Sequence, residues 1–430
     1  MAKIDPISGF PEYLPAQQLA FDDITGKIAH IYKSFGYVPL ETAAVERIDT
    51  LVSKGVDSKE VYALRRLNAA DGDDGSKELA LRFDLTVPLA RYVAQNYSSL
   101  VFPFRRYQVQ PVWRGERPQY GRYRQFHQFD LDVIGDGALP IEADAEVIAA
   151  AHSALMAVLP TGAEFTMRVN NRKLLLGLVE GAGFSAGDEV YKAVKVIDDL
   201  EKVSAEEARS KLVAINGGAQ VDELLATLKA GKVDGLTGLN ATAAEGAEEL
   251  KTVMTTVRAL TGNAANIVID MTIARGLDYY TGTVLETKLH AAPELGSICS
   301  GGRYDNLTAS LADRNLPGVG LSIGISRLSA WLMQQPPYST LGATTAKVIV
   351  TGPAAASLCQ TLRAEGIPCE LALGDKSAGQ HFMNAQKRGI AYGIVAENIE
   401  KAVVRTFADR SQTELDTHAL VPYLQTLLDL

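Results

Sequence analysis

The chain has 430 residues, 47% of them hydrophobic and 22% charged, which is the composition of an ordinary globular protein with room for two or three domains. Its net charge of −9 disfavours a sequence-blind nucleic-acid binder, although a local basic patch such as residues 105–124 can still grip a nucleic acid. The three cysteines lack the spacing of a zinc site or a disulfide framework, and we find neither a membrane-length apolar run nor a secretory leader, so we expect a cytoplasmic protein with no membrane partner.

The first predicted element is a helix from Gln17 to Phe35, where apolar residues recur at helical spacing. It leads into a short extended segment, Gly36–Leu40, which is broken by a proline. A strand is predicted at Leu79–Thr86. We expect Thr86 to cap the helix that follows, which has Pro88 in its first turn.

Two strands joined by an arginine-rich loop come next, at Tyr107–Trp113 and Phe126–Ile134, with turn residues between them. In the second strand the apolar residues share one face and the polar residues share the other, namely Phe129, Leu131 and Val133 against Gln128, Asp130 and Asp132. Buried polar side chains cost stability unless they bind something, so the pattern predicts the floor of a site for a phosphorylated ligand. A surface hairpin whose arginines and acids only pair with each other explains this segment equally well.

The central part of the chain contains regions of two kinds. A helix is predicted at Ile141–Leu159, strands at Ile267–Asp270 and Tyr279–Lys288, and a helix at Ser322–Met333. Residues 171–262 are rich in Ala, Glu, Lys and Leu and poor in aromatics, with helical blocks at 189–200, 204–213 and 221–228, which predicts a helical insertion. Mostly antiparallel strands with helices packed outside them predict an α+β fold.

A linker is predicted at Gln334–Thr340 from its composition. Beyond it, strands at 347–351, 366–371, 392–395 and 402–405, helical stretches between the first three, and a last helix at 420–430 predict an α/β domain with a largely parallel sheet. The predicted division is a first domain in two parts, residues 1–170 and 263–333, interrupted by the insertion at 171–262, followed by a linker at 334–345 and a C-terminal domain at 346–430.

Four polar segments stand out together, namely residues 81–86, the hairpin at 114–132, residues 274–282, and the pair 301–305 and 318–327. They resemble the histidyl-tRNA synthetase family of the class II aminoacyl-tRNA synthetases, and the resemblance extends over the whole chain. Gly36–Glu41 resembles class motif 1, the hairpin resembles motif 2, and the glycine-spaced segment ending in Arg327 resembles motif 3. The run Arg275-Gly-Leu-Asp-Tyr-Tyr280 resembles the motif particular to the histidine enzymes.

The resemblance implies ATP-dependent activation of L-histidine and its transfer to tRNA(His). It places Arg114 against the α-phosphate of ATP and the substrate carboxylate, and Arg327 at the γ-phosphate end. Arg275 becomes the principal catalytic cation, and Glu116 orients adenine. Fixed guanidinium groups suit this chemistry because they keep their charge and present planar donors to a phosphoryl group that gains charge. Mg2+ is expected with the β- and γ-phosphates, but its ligands are not identifiable from the sequence.

The resemblance also implies an amino-acid pocket. Asp84, Thr86 and Gln128 hold the α-ammonium group, while Asp132 and Tyr280 bind the imidazole nitrogens. The full implied histidine-binding set is Asp84, Thr86, Arg114, Gln128, Asp132, Arg275, Tyr279 and Tyr280, of which Tyr279 fits the core as well as the pocket. Many bacterial members carry Pro-Glu-Gly-Thr where this chain has Phe83-Asp-Leu-Thr86, and glutamate where it has Asp132, so distances in the pocket do not transfer directly.

For the macromolecular partners, the resemblance implies a homodimer and a C-terminal anticodon-binding domain. Gln119 and Arg124 lie in the loop expected to meet the acceptor end of tRNA. Two alternatives remain open, a catalytically inactive paralogue such as the regulatory subunit of ATP phosphoribosyltransferase, and a non-enzymatic tRNA-sensing module. The retention of Arg114, Arg275 and Arg327 disfavours the first, and the lack of a fused partner domain disfavours the second.

Overall fold

The computed structural model describes residues 5–52, 58–67, 79–216, 220–274, 280–305, 314–398 and 400–428. The chain divides into two compact units, one formed by Met1–Pro11 and Ile24–Leu332 and the other by Glu12–Asp23 and Met333–Leu430. Helix α1 (Pro15–Ser34) contributes residues to both units, and it agrees with the predicted helix to within two residues at its start.

The first unit is built on an eight-stranded sheet. Its strands are β1 (Val38–Pro39), β4 (Phe104–Trp113), β5 (Gln125–Ile134), β6 (Phe165–Asn171), β7 (Ile267–Ile269), β8 (Thr283–Leu289), β9 (Ser297–Tyr304) and β10 (Gly318–Ile323). Their spatial order is β1-β4-β5-β10-β9-β8-β6-β7, and all neighbours are antiparallel except β1 with β4 and β6 with β7. Strands β2 (Val45–Arg47) and β3 (Leu79–Leu81) form a separate antiparallel pair. The predicted α+β fold is confirmed.

Helices cover this sheet and form the inserted region. The helices of the first unit after α1 are α2 (Ile48–Val52), α3 (Thr86–Asn96), α4 (Glu142–Val158), α5 (Arg172–Gly181), α6 (Asp188–Asp198), α7 (Ala205–Asn216), α8 (Val221–Ala230), α9 (Ala241–Thr261) and α10 (Ile325–Leu332). Alanines on α4 let it pack closely against β10 and β5. Helices α5 to α9 follow β6 directly, and the side chain of Asn171 caps α5 by accepting from the backbone N–H of Lys173 at 2.9 Å.

Several element predictions in this unit were wrong in detail. Thr86 does not cap α3, because the carboxylate of Asp84 instead accepts from the backbone N–H of Val87 at 3.0 Å. The helix predicted from Ser322 starts only at Ile325, since Ser322 belongs to β10. Strand β9 was not predicted, because its paired glycines are typical of turns. In the sheet a Cβ atom at Gly301 would overlap the backbone of the neighbouring β10, so this strand needs glycine there.

The C-terminal part of the second unit is a five-stranded sheet with helices. Its elements are β11 (Val348–Thr351), α11 (Ala355–Ala364), β12 (Cys369–Leu371), α12 (Ala378–Lys387), β13 (Tyr392–Ala396), β14 (Lys401–Thr406), β15 (Gln412–Asp416) and α13 (Thr417–Leu428). In the order β12-β11-β13-β14-β15 the first three strands are parallel, whereas β14 and β15 are antiparallel additions. The sheet is therefore mixed rather than largely parallel, and β15 was missed because most of its side chains are polar.

Candidate active site on the polar face of the central sheet

The face of β5 predicted to be polar lies at the centre of the eight-stranded sheet. Its neighbours in register extend the polar row onto both adjacent strands, with Arg106 and Gly320 opposite Asp132, Gln108 and Ser322 opposite Asp130, and Gln110 opposite Gln128. On the other face Phe129, Leu131 and Val133 are fully buried, and the ring of Phe129 meets that of Tyr32 edge-on at 5.3 Å. The predicted alternation is confirmed. Because Asp130 and Asp132 are buried in the centre of the sheet, the alternative of an exposed surface hairpin is wrong.

Asp132 lies in a buried cluster of three polar groups. Arg106, which is fully buried, places Nη2 2.8 Å from Oδ2 of Asp132. The hydroxyl of Tyr304 donates a hydrogen bond to Oδ1. Burial raises the pKa of Asp132, whereas the charge of Arg106 and the Tyr304 hydrogen bond lower it. The carboxyl group is therefore held in a fixed position by a permanent cation and a phenol.

Two of the motif 3 glycines are required by this cluster. A Cβ atom at Gly320 would fall within the carboxylate of Asp132, and one at Gly318 would fall within the ring of Tyr304. At Gly324 the nearest atoms would be 3.8 Å away, which is ordinary van der Waals contact. Gly318 and Gly320 thus make room for polar side chains that rise from the neighbouring strands.

Arg114 and Asp84 lie close together beside the polar row. The guanidinium of Arg114 lies over the ring of Phe83 at 4.4 Å and over that of Phe126 at 5.1 Å, and its Nε donates to the carbonyl of Phe83 at 3.2 Å. Burial lowers the pKa of Arg114, and the charge of Asp84 opposes this effect. Burial likewise raises the pKa of Asp84, whereas the hydrogen bond from the Val87 N–H and the charge of Arg114 lower it. Thr86, the next residue but one, is half-buried in the first turn of α3.

Gln128 is half-buried on the same face. Its Nε2 donates to the hydroxyl of Ser322 at 3.1 Å. Its Oε1 is buried and accepts a hydrogen bond from no described residue. A buried acceptor in this situation is usually matched by a ligand or an ordered water.

The arginine-rich loop between β4 and β5 is held by its own backbone contacts. Gln119 is exposed and forms a tight reversal with Arg122 (N···O distances of 3.0 and 2.8 Å), in which Gly121 has φ of +70°. Arg124 donates from Nε to the carbonyl of Glu116 at 3.2 Å. The carboxylate of Glu116 is 4.0 Å from Nη1 of Arg114.

Arg327 fixes the base of that loop. Its Nε donates to the carbonyl of Gly121 at 3.2 Å, and Nη1 donates to the carbonyl of Ser297 on β9 at 2.8 Å. It therefore joins the loop to the sheet. Tyr280 is half-buried and packs in an apolar cluster that includes Tyr304 and Leu316. Arg275 and Tyr279 lie outside the described residues.

Three residues that complete the polar face were missed from the sequence. They are Arg106, Tyr304 and Ser322. The first could have been found, because Arg106, Gln108 and Gln110 alternate as the residues of β5 do. The strand was predicted to begin at Tyr107, three residues after its actual start at Phe104. The contacts of Tyr304 and Ser322 depend on which strands become neighbours, and no local pattern gives that pairing.

The described residues offer no metal centre of their own, since no three His, Cys, Asp or Glu side chains among them are grouped to hold an ion. Magnesium carried by a nucleotide needs only one or two protein carboxylates besides the phosphates. The polar face supplies carboxylates but shows no other feature of a magnesium site. We therefore assign no magnesium ligands. No helix in the described part of the chain has both the length and the apolar character of a membrane span.

Comparisons with known proteins identify the family. The sequence matches the family profile of histidyl-tRNA synthetase over residues 9–328 and that of an anticodon binding domain over residues 343–427. The histidine–tRNA ligase of Xanthomonas campestris pv. campestris strain 8004 is 39% identical over 458 aligned residues, which cover 98% of this chain and 96% of that protein. The chain belongs to the histidyl-tRNA synthetase family.

Solved structures agree with this assignment. The crystal structure of histidyl-tRNA synthetase from Nostoc sp. PCC 7120 superposes with a TM-score of 0.85 at 32% identity, covering 99% of this chain and 100% of that one. A protein from Bacillus halodurans described as an ATP phosphoribosyltransferase regulatory subunit/histidyl-tRNA synthetase has a TM-score of 0.75 at 20% identity, covering 93% of this chain and 100% of that one. The second likeness concerns the fold alone. The predicted membership of the histidyl-tRNA synthetase family is confirmed.

Proposed function

We propose that this chain is a histidine–tRNA ligase. It joins L-histidine to ATP as histidyl-adenylate with release of pyrophosphate, and then transfers the histidyl group to the 3′ end of tRNA(His). The observation that carries the proposal is the buried Asp132 carboxylate, fixed by Arg106 and Tyr304, on the same sheet face as Gln128 in a chain of this family. Such a group matches an imidazole N–H, which apolar side chains of similar size lack.

The amino-acid pocket divides into two ends in this proposal. Asp132 and Tyr280 bind the imidazole nitrogens, with Tyr279 beside them in the histidine motif. Asp84, Thr86 and Gln128 receive the α-ammonium group. A pocket that hydrogen-bonds its substrate rejects wrong side chains strongly, because they would leave its buried polar groups unpaired. The charge of Arg114 lowers the pKa of Asp84, which supports a place for the substrate carboxylate near Arg114, beside the ammonium end of the pocket.

The nucleotide is bound by cations in this proposal. Arg114 contacts the α-phosphate, Glu116 orients adenine, and Arg327 lies at the γ-phosphate end. Arg275 stabilises the charge that develops when the histidine carboxylate attacks the α-phosphate. Bound Mg2+ would neutralise the β- and γ-phosphates and assist the departure of pyrophosphate. The half-buried position of Arg114 supports its role, since partial removal from water strengthens the action of a guanidinium on a nearby phosphoryl group.

The proposed partners are tRNA(His) and a second copy of the chain, in the cytoplasm. Gln119 and Arg124 of the motif 2 loop would meet the acceptor end of the tRNA. Residues 1–170 and 263–333 would form the catalytic core, 171–262 the helical insertion, 334–345 the linker and 346–430 the anticodon-binding domain. The match of residues 343–427 to an anticodon binding domain supports the last of these.

The domain assignment predicts a split between the two half-reactions. Removing residues 346–430 is expected to spare histidine-dependent ATP–pyrophosphate exchange and to weaken aminoacylation of tRNA(His) greatly, because adenylate formation needs only the first domain. Both rates should be measured on a truncated protein whose circular dichroism shows a folded core. A folded truncated protein that charges tRNA at the full-length rate would contradict the assignment.

A homodimer is expected, with motif 1 in its interface. Val38 on β1, Val45 on β2 and Leu79 on β3 are 48%, 37% and 39% exposed, and apolar side chains at the edge of a fold favour a self-complementary interface. Sedimentation velocity at micromolar protein should show a dimer, and Val45→Asp should shift it towards monomer. A stable and fully active wild-type monomer would rule this prediction out.

Asp132→Asn tests the imidazole end of the pocket. The substitution keeps the shape of the side chain but removes the charge that favours an N–H donor, so histidine binding should weaken by about 1–3 kcal/mol. ATP binding should hardly change. Calorimetry with both ligands measures this, and Asp136→Asn, at an exposed position just beyond β5, is the matched control. Equal losses for histidine and ATP would mean that Asp132 supports the fold instead.

The proposed function is tested directly by aminoacylation. Purified protein, ATP, Mg2+ and tRNA(His) transcript should give charged tRNA with histidine and none with other amino acids. Charging with a different amino acid would overturn the substrate assignment.

A further inference from the structure

Ser322 links two polar residues of β5. Nε2 of Gln128 donates to the Ser322 hydroxyl at 3.1 Å. Ser322 also lies directly opposite Asp130 in the ladder between β5 and β10, and its hydrogen bond opposes the burial that raises the pKa of Asp130. Gln128, Ser322 and Asp130 therefore form a short chain of hydrogen bonds along the polar face.

The direction of these hydrogen bonds follows from the chemistry of the groups. Above its pKa of about 7 the Asp130 carboxylate is ionised and only accepts, so the single proton of the Ser322 hydroxyl points to Asp130. The oxygen of Ser322 is then left to accept from Gln128, which must turn its Nε2 towards it. The amide oxygen of Gln128 consequently faces the other way. That Oε1 atom is buried and accepts from no described residue.

We propose that Asp130 is a positioning residue which, through Ser322, fixes the amide of Gln128 with its oxygen towards the α-ammonium group of the amino acid. The inference rests on the proposed function, in which Gln128 holds that group. An ammonium group has donors and no acceptor, so Oε1 is its only matching partner on the amide. A flipped amide would place its own N–H groups against a cation.

The burial of Asp130 supports a role beyond folding. Asp130 is 3% exposed and lies two positions from Asp132 on the same face of the strand. The charge of Asp132 further raises the pKa of Asp130. Oδ1 of Asp130 is buried without a hydrogen bond from any described residue. A second buried acid next to the first is costly for stability, and a serine bound to a neutral side chain would hold the strands equally well.

Two ligand probes separate this role from a structural one. Histidinol keeps the ammonium and imidazole groups of histidine, whereas 3-(imidazol-4-yl)propanoate lacks the ammonium. Asp130→Leu removes the acceptor of the Ser322 proton while keeping a side chain of similar length, and Ser322→Ala removes the chain. For both variants the affinity for histidinol in calorimetry should fall by about tenfold, while that for the propanoate should change by less than about twofold.

Kinetics provide a second readout. In pyrophosphate exchange at a pH of about 8, where the carboxyl is more fully ionised, both variants should raise KM for histidine and leave KM for ATP unchanged. The double variant should be no worse than either single variant, because both break the same chain. Ser322→Thr, which keeps a hydroxyl, should restore part of the affinity. Ser153→Ala is the matched control, because the Ser153 hydroxyl only donates to the carbonyl of Ala149 within α4. It should leave both KM values unchanged.

The outcomes are distinct. Equal losses for histidinol and the propanoate, additive losses in the double variant, or an unchanged histidinol affinity in folded Ser322→Ala would each overturn the inference. These results would leave the proposed function standing as long as wild-type protein still activates histidine. Wild-type protein that fails to activate histidine would overturn the proposed function, and the inference with it.

Discussion

Replacement of Arg275 by alanine is expected to lower kcat of adenylate formation by about 10²–10³-fold, the scale for removing one preorganised electrostatic stabiliser. The physical reason is that the negative charge which Arg275 is proposed to neutralise appears only when the α-phosphate is attacked. Neither KM should rise by a comparable factor, because the ground states of histidine and ATP lack that charge. Single-turnover adenylate formation with the folded variant measures the effect.

The conservative change is informative as well. Arg275→Lys should restore little activity, because a point charge does not reproduce the planar pair of donors. Arg209→Ala, which removes a surface pair with Asp222 in the helical insertion, is the control and should leave the rate unchanged. If Arg275 only pairs with Asp278 to hold its segment, the variant will melt at a lower temperature but turn over normally. A single-turnover rate within a few-fold of wild type would remove Arg275 from the catalytic residues.

Replacement of Arg106 by methionine should destabilise the protein by about 3–5 kcal/mol, the usual result of removing one partner of a buried ion pair. Arg106 is fully buried, and its charge lowers the pKa of both Asp130 and Asp132. Without Arg106 no other described cation lies as close to the two carboxyl groups. The pKa values of Asp130 and Asp132 then rise further. Urea unfolding measures the loss, and histidine binding should weaken in parallel because Asp132 loses its position.

The loss should depend on pH in a defined direction. A carboxyl group whose pKa is higher in the folded state than in the unfolded state stabilises the fold while it is protonated, and this contribution disappears as the pH rises through the folded pKa. The gap between wild type and Arg106→Met should therefore be smallest near pH of about 4 and largest near pH of about 8.

The neighbouring arginine provides a matched control for Arg106. Arg105 lies on the opposite face of β4, where it pairs with Glu146 across side chains that are 35% and 25% exposed. Arg105→Met should cost less than about 1 kcal/mol, because partly exposed ion pairs contribute little. Equal effects of the two substitutions, or a gap that narrows as the pH rises, would show that Arg106 is not the counter-ion of the buried acids.

The sequence was sufficient for features that depend on local periodicity. The hairpin, the two faces of β5 and most helices follow from the alternation and helical spacing of apolar residues, which burial in one core imposes. It failed for β9 and β10, where Gly301, Gly318 and Gly320 are typical of turns although the strands need glycine to admit atoms from their neighbours. It also failed for β15, an edge strand of mostly polar residues.

The site shows the same division. Gln128, Asp132 and Arg114 could be named from patterns in one segment of the chain and from the family resemblance. Tyr304 and Ser322 could not be assigned contacts, because they reach β5 only through the order β5-β10-β9, which is a property of the tertiary structure. The roles assigned to Arg275 and Tyr279 remain predictions from the histidine motif.

The central claim, that this chain activates histidine, is tested most directly by ATP–pyrophosphate exchange with purified protein in the absence of tRNA. We expect exchange that requires histidine and Mg2+ and is not supported by other amino acids. A regulatory subunit or a tRNA-sensing module of the same fold would bind ligands without catalysing exchange. Folded wild-type protein that shows no histidine-dependent exchange would contradict the proposed function.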